Sequence, residues 1–70
     1  DGVITARIKV GLMADSLTAP YDIHVETFKG IVELTGFVET TTVRAEALHV
    51  AEDVEGVQQV NDSLDIRNAD

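Results

Sequence analysis

The 70-residue chain contains no cysteine, so neither a disulfide frame nor a thiolate metal site can hold it together. Aromatic residues are scarce, two Phe and one Tyr without Trp, and packing falls to small and β-branched side chains. Basic residues are few as well. Five Lys and Arg stand against thirteen Asp and Glu, a net charge of −8. That balance argues against nucleic acid as a partner, because such binding depends on cations that neutralise phosphates. No apolar run approaches the roughly 20 residues needed to cross a bilayer as a helix. No secretory signal opens the chain either. A start at Asp1-Gly2 reads as a mature segment or a fragment, so secretion is left undecided. What remains is one small domain with 44% apolar residues, enough for a single thin core.

The most informative stretch is 30–38, Gly-Ile-Val-Glu-Leu-Thr-Gly-Phe-Val. Val32, Leu34 and Val38 alternate with Glu33, Thr35 and Phe37, the period-two pattern of a strand with one buried face. Gly36 takes the place of an inward side chain, which predicts a close backbone approach or a bulge. Gly30 follows Phe28-Lys29 where a tight hairpin turn needs positive φ. Upstream, 22–27 alternates with Ile23 and Val25 inward, and the two strands should pair antiparallel.

A first helix is expected from an Asp1 cap to about Ala14, with Ile4, Ile8 and Leu12 as its core stripe. Gly11 beside that stripe is expected to let the helix approach the sheet. A second apolar row, Val3, Ala6, Val10, Met13 and Leu17, lies roughly 180° away around the helix. One helix cannot bury both rows under a small sheet. Residues 17–21 read as a linker, with Pro20, the only proline, closing the helical option. A second helix is expected after the Thr40-Thr41-Thr42 run, any of which can cap it. Val43, Ala47, Val50, Ala51 and Val54 share its buried face, and Gly56 is its expected stop. A last strand over 57–66 carries Val60, Leu64 and Ile66 inward. Asp62 shares their parity, which predicts a bulge or a position beyond the core. The order is α-β-β-α-β. A crossover through the second helix sets strand three parallel to strand two. The result is an α+β fold, a three-stranded mixed sheet with both helices on one face.

Taken together, the 30–38 motif, the helix over 44–51 and Glu55-Gly56-Val57-Gln58-Gln59-Val60-Asn61 make the chain resemble a BON domain, the bacterial osmotically inducible and nodulation family. The likeness spans the whole chain and is nearest to the osmotically inducible periplasmic proteins. It implies a single domain, 1–70, cut from a longer, tandem-domain envelope protein. It also implies a periplasmic or envelope setting, binding rather than catalysis, and no cofactor. Partners implied are a phospholipid surface, envelope proteins, a chaperone client or a sister BON domain. Within the motifs, Gly30, Val32, Leu34, Gly36, Val38, Gly56, Val57 and Val60 mark fold and not a functional site.

Read from the residues, the candidate surface is the second row of helix one: Val3, Ala6, Val10 and Met13, flanked by Arg7 and Lys9. Residues 2–14 hold no acid, whereas 39–65 hold seven acids against one base, Arg44. Such a helix could lie in a headgroup region, pack against protein, or have no role. Salt separates the first two, because contact through the cations fades with ionic strength and apolar contact does not. The overall charge limits lipid affinity. At about 1 kcal/mol per cation the two supply only about 2 kcal/mol. Phe37, outward by parity, is a weaker docking candidate on the open sheet face with His24, Glu33 and Thr35. Glu46, His49 and Asp53 share one side of helix two. Without ligands from a neighbouring helix they read as a solvated face, not a metal site. Ser16 and Ser63 have no His at a motif spacing, so catalysis has no sequence support.

Overall fold

The computed structural model describes residues 2–67. The element order is α1 (Gly2–Ala14), β1 (His24–Phe28), β2 (Ile31–Val38), α2 (Thr41–Glu52) and β3 (Gln59–Ile66). The strands form one sheet in the order β1-β2-β3, with β1–β2 antiparallel and β2–β3 parallel. The sheet is mixed and the fold α+β, as the alternation and crossover predict. Asp1, the expected cap of α1, lies outside the described residues.

α1 lies over β1 and beside α2, while α2 lies over β2 and β3. Between the layers sits one core in which Ile8, Val32, Leu34 and Ala47 are fully buried. Each comes from an apolar position at the expected period, and burying such side chains is the main force holding a chain this small. Val60, Val57 and Val54 pack around this core half-buried. Gly11 faces α2 instead of the sheet: a Cβ there would sit 2.7 Å from Val50 Cγ1, so the helices meet at this point.

The β1–β2 turn is tighter than expected. Phe28 pairs with Ile31 as the last rung, and the turn is Lys29-Gly30 alone. Both residues have positive φ, 52° and 81°, the conformation whose twist matches a two-residue hairpin. Gly30 also accepts the Gln58 N–H at 2.8 Å, which starts the parallel ladder. The two halves of the motif are thus zipped together, with Val32 opposite Val60 and Leu34 opposite Asp62.

Other boundaries shift for local reasons. α2 is capped by Thr40, whose Oγ1 accepts the Val43 N–H at 3.2 Å. The helix ends at Glu52 with Asp53 as C-cap, so Gly56 is not its stop; Gly56 turns the chain a few residues later at φ 98°. That turn delays β3 to Gln59. β1 starts at His24, and Ile23 packs half-buried just before it. The expected linker is a hydrogen-bonded turn closing α1. Within it Thr18 is buried and donates from Oγ1 to the Leu12 carbonyl at 2.6 Å, satisfying one of the carbonyls a helix end leaves open.

Asp62 meets the second expectation: it is exposed on the edge strand, beyond the core. There is no bulge, and the ladder runs unbroken from Ile31–Gln59 to Val38–Ile66. Its carboxylate meets Arg44 Nε of α2 at 3.3 Å and accepts the Leu64 N–H at 3.0 Å. An acid at a position of inward parity is tolerated because it lies on the edge strand and finds two donors there.

Candidate functional site

On α1 the core stripe and the second row separate as the helical wheel requires. Ile8 and Leu12 are buried, while Val3, Val10 and Met13 are 65%, 66% and 75% exposed. Ala6, Arg7 and Lys9 are exposed beside them, and Leu17 lies open just past the helix end. Arg7 and Lys9 make no ion pair with any described residue. Thr5 anchors the opposite side by donating to Thr27 Oγ1 of β1 at 2.8 Å. This fixes the rotation of the helix and hence which row faces out. The result is an apolar strip with two cations and no acid, laid along a rigid element. A shallow groove of about 270 Å³ opens at its C-terminal end between Lys9, Met13, Tyr21 and His24. Tyr21 at its rim donates to Glu39 Oε1 at 3.0 Å. Burial first, and then the Glu39 bond and charge, hold its hydroxyl above the ordinary tyrosine range.

Among the described residues no helix covers the other face of the sheet. Phe37 is 51% exposed, as its parity predicts, and the Arg67 guanidinium lies 4.3 Å from its ring centroid. Phe28 and Ile31 stand exposed together at the other end. This second apolar spot escapes sequence reading, because Lys29-Gly30 lacks the Asn-Gly or Asp-Gly signature of a two-residue turn. Between the two ends Glu26 and Glu33 are direct cross-strand partners. The Ser63 hydroxyl donates to Glu33 Oε2 at 3.3 Å. His24 is exposed on the same face.

The Glu46–His49–Asp53 side of α2 is organised otherwise than its spacing suggests. Glu46 meets Asp15, just beyond α1, through a carboxyl–carboxylate hydrogen bond. That bond, then the Asp15 charge, pushes Glu46 above the ordinary carboxylate value, with Asp53 adding to the rise and His49 opposing it. Asp15 is held low, first by Glu46 and then by the Leu17 N–H, which it accepts at 2.9 Å. Among the described residues no group of three His, Cys, Asp or Glu side chains could hold a metal ion. No helix among them is long and apolar enough to cross a membrane.

The signs of these two shifts set a pH dependence. A carboxyl raised on folding contributes stability below its unfolded pKa and loses it as pH rises through the folded value. Asp15, lowered, contributes above its unfolded pKa and loses it as pH falls through the folded value. The pair is best satisfied where one proton is shared, and the Glu46 contribution is lost as pH rises through its folded value. Glu46→Gln keeps a donor toward Asp15 at every pH. It is expected to melt above the parent chain at pH 7, with the gap closing as pH falls through the carboxylate range. Thermal melts from pH 4 to pH 8 check this, and a gap constant across pH contradicts it.

The described residues form a small two-layer α+β unit with one open sheet face and an exposed apolar row on α1. The BON domain model matches residues 1–68, and the chain belongs to the BON domain family. It is 42% identical over 69 residues to osmotically-inducible protein Y of Escherichia coli strain K12. That alignment covers 99% of this chain and 34% of the relative, so the chain spans about a third of that protein's length.

Proposed function

We propose that this domain is a non-catalytic binding module of the bacterial cell envelope, acting in the response to osmotic stress. We further propose that it works in the periplasm as one unit of a longer, tandem-domain protein and makes its contact through α1 with anionic phospholipid. Family membership and the relative's name support the setting. The observation that carries the contact is the exposed Val3–Val10–Met13 row with Arg7 and Lys9 beside it and no acid in α1. Apolar side chains on such a helix enter the acyl boundary while the cations meet headgroup phosphates. A chain of net charge −8 is repelled from anionic lipid in most orientations, so affinity is weak and α1 must face the bilayer.

Titration of phosphatidylglycerol nanodiscs into the domain is expected to move amide resonances between Val3 and Met13, with phosphatidylcholine discs moving them less. The double change Arg7→Gln, Lys9→Gln is expected to weaken binding about thirtyfold, from about 1 kcal/mol per cation. Unmoved resonances at millimolar lipid would remove the lipid reading. The alternative, a protein-interaction or chaperone surface formed by α1 and the open sheet face, is favoured by the exposed Phe28, Ile31 and Phe37.

A further inference from the structure

Among the described residues two surfaces have no covering layer, and they are complementary to each other. α1 is apolar on opposite sides, a pattern proper to a helix buried all round, and its outer row is flanked only by cations. The parallel β2–β3 pair carries α2 on one face alone, although parallel strands are ordinarily covered on both. On that open face Glu26 and Glu33 stand directly opposite each other, an arrangement that costs stability until a cation comes between them.

We infer that α1 of one copy of this chain docks on the open sheet face of a second copy, head to tail. This goes beyond the lipid reading: it adds the sheet face as a receptor and makes lipid and the second copy competitors for one row. The dimensions agree. Val3 to Met13 spans about 15 Å at the helical rise, and Ile31 to Phe37 about 20 Å at the strand rise. With Val3 set on the Phe28–Ile31 spot, Arg7 falls about 6 Å along the helix. Glu33 lies about 7 Å along the strand from the same spot. Cation therefore meets the acid pair while Val10 and Met13 run on toward Phe37. The docked helix supplies the missing third layer. Because the contact joins unlike surfaces, each copy retains a free helix and a free sheet, and assembly continues past the dimer unless it closes into a ring.

Sedimentation velocity on the full chain, from micromolar to millimolar at low salt, tests this with two charge-reversal variants. Parent chain is expected to gain mass with concentration. Arg7→Glu/Lys9→Glu and Glu26→Lys/Glu33→Lys are each expected to lose at least about tenfold in association constant, since like charges then face each other. An equimolar mixture of the two variants is expected to regain association, acidic helix on basic sheet. General attraction cannot mimic this, because reversing two charges either way leaves both variants net negative from −8. Circular dichroism shows that each variant is folded. A parent chain monomeric at millimolar concentration, variants that associate unaided, or a folded mixture that stays monomeric would each overturn the inference. Glu26→Lys/Glu33→Lys leaves α1 intact and should still respond to phosphatidylglycerol, so failure here and failure of the lipid reading are told apart.

Discussion

Gly36→Val is expected to destabilise the domain by about 2–6 kcal/mol, combining backbone strain of about 1–3 with overpacking of about 1–3. Gly36 lies at φ 132°, where L side chains are strained, and a Cβ there would stand 2.8 Å from the Asp22 carbonyl oxygen. The obstacle is backbone, not the flexible end of a side chain, so relief requires moving the segment that leads into β1. A chain of 70 residues has only about 4–10 kcal/mol to lose, at roughly 0.05–0.15 per residue. Urea unfolding followed by circular dichroism should show a midpoint far below that of the parent, or no folded baseline at all. A loss under about 1 kcal/mol would mean that β2 does not meet Asp22 in this way.

Leu34→Ala is the second large effect. Leu34 is fully buried at the centre of the middle strand, flanked in the ladder by Val25 and Asp62. Truncation loses transfer free energy and leaves a cavity that two pinned helices cannot collapse to fill, about 2–5 kcal/mol. At about 3 kcal/mol, Tm falls by roughly 12–24 °C for a domain of this size. Ile31→Ala on the opposite face of the same strand is the control. Ile31 is 41% exposed, and its truncation should cost under about 1 kcal/mol. Equal losses at the two positions would contradict the assignment of the covered and open faces.

The contrast between Leu34 and Ile31 also shows what was legible in the sequence. Period-two alternation places Leu34, Val32 and Val38 inside because a pleated strand has only two faces, and the same rule puts Phe37 outside. The two rows of α1 follow from helical periodicity with equal certainty. Family kinship, too, was legible in the glycine spacing of the two motifs. The contacts that escaped join residues distant in sequence or depend on a turn type that the sequence does not mark. Phe28 joins Ile31 on the open face only because Lys29 accepts a left-handed conformation. Glu46 turns to Asp15 across the two helices, a contact no local pattern announces. The exposed place of Asp62 was one of its two expected positions, but its ion pair was not legible because the partner, Arg44, lies on another element.

That Asp62 contact bears on how copies of the domain meet. β3 is a sheet edge, and an edge N–H left open is an invitation for another chain to add a strand. Here the outward N–H of Leu64 is occupied by a carboxylate of its own strand, and Arg44 holds that carboxylate in place. A neighbour seeking to extend the sheet meets a negative charge where it needs an open donor. Strand addition along β3, the route toward cross-β stacking, is therefore obstructed at the Leu64 donor.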